Sequence, residues 1–258
     1  MSTSPSNTSH SATATTRPVF RPAAERFHSN LAWLDSWHSF SFSSHYDPAW
    51  MGFGPLRVIN DDTIAAGRGF GMHPHNDMEI ITVMVEGELS HRDSMGNGEV
   101  LRSGEVQRMS AGTGVVHSEI NQSERSCRLL QIWIEPSSRG IPPAYEQQPF
   151  AIGTDWTLLI DPERQGGALA IHRPVRMWRA QPGPGQRLEL PRTAGRRYWL
   201  QLIDGAVGLE SSATVEAPPN LVRGDGYGFA DEPNDGGGAP TALSARDQGA
   251  DLLLFELD

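Results

Sequence analysis

Short apolar runs closed off by turn residues dominate this chain over stretches with a helical period, and that pattern limits its fold more than any other feature. In the first half the runs cover residues 56–60, 70–75, 79–85, 88–92, 106–109, 115–120 and 128–134. Turn signals separate most of them. Glu86-Gly87 lies between two runs, and segment 93–98 holds Asn97-Gly98, a pair that accepts the positive φ of a tight hairpin. Glycine (27) and proline (19) both exceed typical usage, which suits many strands with tight connections. The expectation is an all-β protein, a sandwich or small barrel. With 258 residues, 38% of them hydrophobic, the chain can bury one large core or two smaller ones.

Residues 1–16 are rich in Ser, Thr and Ala and cannot offset their ordering entropy by burial, so a disordered tail is expected there, and His10 within it is not a candidate ligand. Residues 27–42 carry Trp33, Trp37, Phe40 and Phe42, suited to packing over one end of a barrel. The proline-bearing stretch 142–149 breaks the strand pattern and is the candidate domain boundary. A second series of runs follows at 168–172, 175–180, 187–190, 198–203, 207–209, 226–230 and 252–257. Segment 200–205 resembles 83–87 in placing a strand before a turn glycine, which suggests a diverged internal repeat. Segments 211–220 and 231–240 read as surface connections.

A net charge of −10 and a pI near 5.3 argue against a nucleic-acid or anionic-membrane surface. No run reaches the ~20 apolar residues of a membrane helix, and the N-terminus lacks the apolar core of a signal peptide, so a cytoplasmic location is the default expectation. The single cysteine, Cys127, lies in an apolar run and reads as a buried hydrophobe rather than a catalytic thiol.

Chemistry concentrates in two clusters, His73-Pro74-His75 and His117-Ser118-Glu119. In each, two ligand-type side chains stand at i and i+2, which in a strand share one face. Two such strands can aim His73, His75, His117 and Glu119 at one point. Three imidazoles and a carboxylate suit a divalent transition metal better than calcium or a thiolate-bound structural zinc. Pro74 donates no ladder hydrogen bond and calls for an edge or mouth position. His172 is the only imidazole of the second half, so one site per chain is expected.

Gly67, five residues, His73-Pro74-His75 and then Glu79 resemble the first motif of the cupin superfamily. Gly104, Gly112, His117 and Asn121 follow the order of the second, with Ser110 where many cupins carry proline and four residues rather than two between Gly112 and His117. The runs 73–79, 91–98 and 109–114, leading to His117-Ser118-Glu119, more closely resemble the pirin family, whose members are bicupins. The likeness extends over nearly everything after the tail, from Gly54-Pro55-Leu56-Arg57-Val58 through Tyr145-Glu146-Gln147 to the closing run 252–257. It implies two cupin domains of double-stranded β-helix (jelly-roll) type: a tail at 1–20, a metal-bearing domain at 21–145 and a metal-free domain at 146–258. Pirin ligands match His73, His75, His117 and Glu119, whereas ordinary cupins more often use the first-motif glutamate, here Glu79. The i, i+2 spacing favours Glu119, which leaves Glu79 to packing or, if it faces the site, to orienting a ligand imidazole.

The resemblance further implies a quercetin 2,3-dioxygenase, in which a flavonol and molecular oxygen meet at the metal and carbon monoxide is released. Glu119 is then the catalytic base for the flavonol 3-hydroxyl. Iron(II) is the expected ion, and manganese, nickel, copper and zinc suit the same donors. Two other classes fit: a metal- or redox-responsive regulator that binds protein partners, as some pirins are transcription cofactors, and a metal-dependent isomerase or decarboxylase of small acids. Turnover lost on ligand mutation separates the first from the regulator, and an oxygen requirement separates it from the last.

Overall fold

The computed structural model describes residues 18–211, 220–231 and 238–258. The expected disordered tail therefore lies outside the described residues up to residue 17, as do His10 and most of the connections at 211–220 and 231–240. The chain is all-β, as its runs predict. The first half supplies β1 (Val19–Arg21), β2 (Phe27–Leu31), β3 (Leu34–His38), β4 (Leu56–Ile64), β5 (Gly69–His75) and β6 (Glu79–Glu86). It continues through β7 (Glu88–Asp93), β8 (Gly98–Arg102), β9 (Glu105–Ser110), β10 (Val115–Ile120), β11 (Cys127–Ile134) and β12 (Ala144–Pro149). The second half supplies β13 (Thr157–Ile160), β14 (Arg176–Ala180), β15 (Arg187–Glu189), β16 (Arg197–Ser211), β17 (Asn220–Val222), β18 (Gly226–Ala230) and β19 (Pro240–Leu257).

In the first half a seven-stranded sheet, ordered β12-β9-β6-β11-β4-β3-β2, faces a four-stranded sheet, β5-β10-β7-β8. The seven strands of the second half, joined by β1, form an eight-stranded sheet. The halves are not cleanly divided by sequence. The boundary expected at 145/146 falls inside β12, which pairs with β9 from Ala144↔Ser110 to Pro149↔Glu105. Prolines there read as linker, but Pro142 and Pro143 precede the strand and Pro149 ends it at a sheet edge, where a missing N–H costs no ladder bond. Conversely β1 belongs to the second sheet through β18, Phe20 opposite Tyr227. Residues 168–172, expected as a strand, make only a single bridge, Ile160↔Leu169.

The seven-stranded sheet, the large sheet of the first half, buries both faces of its central strands β4, β6 and β11, which is why they read as apolar runs rather than clean alternations. On one face Ile59, Ile81, Val83, Leu130 and Ile132 join Trp199, Ile203, Leu253 and Phe255 of the second half in a shared core. Each such side chain contributes about 1.5–3 kcal/mol on burial, so the two halves form one packed unit. The same face carries Arg128, whose guanidinium binds Asp61 at 2.8 and 2.9 Å and reaches Asp204 of the second half at 2.7 Å. The opposite face turns towards the small sheet and encloses the site.

Two turns illustrate the local chemistry. Gly87 (φ +76) and Gly205 (φ +77) share one conformation, in line with the expected repeat, yet Gly87 separates two strands whereas Gly205 sits within β16 at a register shift. In the β7–β8 hairpin the left-handed residue is Gly96, not Asn97-Gly98. Asp93 takes over the turn by accepting from the backbone N–H groups of Met95 and Asn97.

Candidate metal centre

The alternation of β10 buries Val115, His117 and Glu119 and turns Val116 outward. Its neighbour β5 is an edge strand of the small sheet, so Pro74 sits where the missing N–H is tolerated. Register sets His73 opposite His117 and His75 opposite Val115. A bulge between His117 and Glu119 then brings Glu119 opposite Phe70. The close approach of the strands requires Gly69, since a Cβ there would lie 2.1 Å from the Glu119 carbonyl oxygen.

The rings of His73, His75 and His117 stand 4.4–4.8 Å apart, centre to centre. The Nε2 atoms of His73 and His117 are 3.1 Å apart, a pair that can share one proton or together face a cation. His73 Nδ1–H donates to the Gly71 carbonyl at 2.8 Å, which leaves Nε2 as the free donor towards a metal. Burial and the neighbouring imidazoles hold His75 down to about 4 and His117 to about 3, so both rings are neutral at pH 7. His117 Nδ1 is buried without a hydrogen-bond partner. Neutral, convergent imidazoles with an orphaned ring nitrogen among them fit a divalent ion.

Glu119 is buried, and its carboxylate accepts from Gln131 Nε2 at 3.3 and 3.0 Å. Burial pushes its carboxyl above the ordinary range, against the opposing pull of His91 and of the Gln131 bond. The four expected residues come together as two overlapping triads: His73, His75 and His117 in one, His91, His117 and Glu119 in the other, with ligand atoms within 4.8 Å of one another in each. His91 is the residue that motif reading passed over. It faces Glu119 across the β7–β10 ladder, stacks on Tyr145 at 4.6 Å and is bonded through Nε2 to Asp93 at 3.1 Å. Its i, i+2 relation to Asp93 was visible in the sequence, but the pairing of β7 with β10 was not.

Glu79 does not face the imidazole cluster. The alternation of β6 sends Glu79, Ile81 and Val83 to the second half and Thr82 to the site. Fully buried, Glu79 binds His172 Nδ1 at 3.0 Å and accepts from the Ser110 hydroxyl at 2.8 Å. The imidazole it orients is therefore that of His172, and it joins the two halves. The serine that replaces the usual cupin proline is part of that joint, bridged in turn by Arg108 at 2.8 Å.

A cavity of about 300 Å³ opens beside the cluster, with His73, His75 and Glu119 among its lining residues. Part of its wall is aromatic: Trp33 meets Phe70 and Phe42 meets Trp133, each pair edge to face. Its size lies at the small end of small-molecule pockets.

Residues 19–134 match the sequence profile of the Pirin family, and residues 158–257 match that of the quercetinase C-terminal cupin domain. The quercetin 2,3-dioxygenase of Escherichia coli strain K12 is 44% identical over 239 residues, covering 92% of this chain and 97% of that protein. The chain belongs to the pirin family. Among solved structures, this pirin is similar to YhhW from Escherichia coli, with TM-score 0.84, 42% identity and coverage of 93% and 97% of the two chains. A second structure, bacterial pirin YhhW in complex with nickel(II), gives TM-score 0.83 at the same identity, covering 93% of this chain and 98% of that one. The family and its two cupin domains thus agree with the bicupin expectation.

Proposed function

We propose that this pirin is a metal-dependent dioxygenase that cleaves a flavonol such as quercetin with molecular oxygen. The observation that carries the reading is the joining of convergent imidazoles to a cavity of about 300 Å³ that is lined by aromatic side chains and by Glu119. The 44% identity to a quercetin 2,3-dioxygenase over 92% of the chain supports the same activity. His73, His75, His117 and Glu119 would hold the ion, with iron(II) our choice among divalent metals and the cytoplasm our choice of compartment. Bound there, the ion supplies Lewis acidity and a meeting place for substrate and oxygen.

The chain's own groups divide the remaining work. The aromatic walls align a planar ligand and keep water from the reacting end. Glu119, raised in basicity by burial, takes the flavonol 3-hydroxyl proton on a carboxylate oxygen. Gln131 holds that carboxylate in place from β11. His73 keeps its donor nitrogen aimed inward through the Gly71 carbonyl. The test is loss of the quercetin visible band in air with metal-loaded protein, compared with His117→Ala. Turnover that vanishes in the variant and without oxygen is expected; turnover that survives the substitution overturns the assignment.

A further inference from the structure

The inner face of the large sheet carries a row of polar residues that the metal chemistry does not use. In register across four strands stand Thr82, Gln131, Asn60 and His38, and one step along the same strands Ser36 lies opposite Asp62. The row crosses the cavity wall in a sheet whose other face is packed with aliphatic side chains. Asp62 is its least expected member. It is 3% exposed, and Ser36 is its one hydrogen-bond partner among the described residues, through Oδ1. Arg128, on the neighbouring strand β11, serves the adjacent Asp61 on the opposite face of β4. An unpaired buried carboxylate destabilises a fold, and burial pushes this one up to about 7. Asparagine or leucine would fill the position at lower cost, so a carboxyl group lining a ligand cavity points to a ligand.

We propose that Asp62 is a specificity-determining residue: its free carboxyl oxygen, supported by Ser36 and flanked by the His38–Asn60 pair, binds a ring hydroxyl of the polyphenol whose reacting end lies at the imidazole cluster. The neighbouring pair is already committed, since His38 Nδ1 meets Asn60 Oδ1 at 2.7 Å and His38 Nε2 meets the Ser29 hydroxyl at 2.9 Å. That leaves Asp62 with a carboxyl oxygen open to a ligand, in a wall whose apolar part includes Leu31, Trp33, Leu34 and Phe42. A cavity whose wall carries this buried carboxyl as well as the imidazole cluster selects a planar aromatic ligand that bears a further ring hydroxyl besides its metal-facing oxygen. Ligands without that hydroxyl leave the carboxyl desolvated and unpaired, which is the strongest form of discrimination a pocket has.

The inference rests on the flavonol reading, so binding and turnover are measured separately. Quercetin and 3-hydroxyflavone, which lacks every ring hydroxyl but the reacting one, are titrated into metal-loaded protein, with binding read by quenching of tryptophan fluorescence. Wild type, Asp62→Asn and Asp62→Leu are compared, with metal content and thermal unfolding recorded for each. We expect wild type to prefer quercetin at least tenfold and Asp62→Leu to bring that ratio at least tenfold closer to parity, with Asp62→Asn between them. Equal weakening of both ligands, or an unchanged ratio, overturns the role of Asp62 and leaves the dioxygenase reading standing. If Asp62→Leu does not fold, Asp62→Asn decides by the same ratio. Binding without turnover removes the dioxygenase reading while the ratio still judges Asp62; no binding of either flavonol to wild type overturns both.

Discussion

Replacing Gln131 with leucine tests how far the position of Glu119 governs the metal. Gln131 Nε2 is the main donor to the carboxylate, at 3.3 and 3.0 Å, because the Thr82 hydroxyl at 3.5 Å stands at the limit of a hydrogen bond. Leucine keeps the bulk of the side chain and removes both its donor and the oxygen that accepts from Thr82 at 3.3 Å. A hydrogen bond to a charged group contributes about 1.5–3 kcal/mol, and loss of a group that orients a metal ligand lowers affinity about 10–100-fold. The substitution also favours the protonated carboxyl, which burial already raises. Because protons compete with the metal for the carboxylate, the deficit grows as pH falls. The assay is competition for metal between protein and a chromophoric chelator at two pH values, with thermal unfolding of metal-free protein as a control. Affinity within about twofold of wild type, against the 10–100-fold expectation, would refute the placement of Glu119.

Arg128→Ala removes the hydrogen-bonded partner of the buried Asp61, leaving it only the longer Arg26 contact at 3.8 Å, and cuts the tie to Asp204, which is 40% exposed and so contributes little. We expect a loss of about 3–5 kcal/mol, from breaking a buried ion pair. In thermal unfolding that appears as a drop of roughly 6–20 °C, and a drop under about 2 °C would contradict it. Gly69→Ala drives a Cβ into the Glu119 carbonyl and should leave far-UV dichroism intact while metal bound per chain falls; full metal content would show that β5 yields without disturbing Glu119. Asp62 has a folded-state pKa raised to about 7 from its ordinary 3.8, so the folded chain holds the extra proton between those values and stability falls as pH rises through that window. Asp62→Asn should flatten that part of the stability–pH curve and be the more stable protein at pH 8; an unchanged slope would show that Asp62 ionises normally.

The strands with clear ends were legible where period-two burial and turn residues coincided, as in β10. The imidazole cluster was legible for the same reason, since i, i+2 spacing fixes a face whatever the sheet order. Long-range pairing was not. Nothing local tells that β1 joins the second sheet, that residues 144–149 form an edge strand, or that Glu79 turns to His172. His91 and Asp62 escaped notice because each acquires its meaning from a cross-strand neighbour, Glu119 in one case and Ser36 in the other. Buried polar residues on a two-faced sheet look like ordinary polar positions until register is known.

Carbon monoxide released against flavonol consumed, measured in sealed vials with and without oxygen for wild type and His73→Ala, tests the dioxygenase assignment most directly. We expect carbon monoxide in amounts equal to the flavonol lost, dependent on oxygen and on His73. Flavonol loss without carbon monoxide, or release unaffected by the substitution, would contradict it.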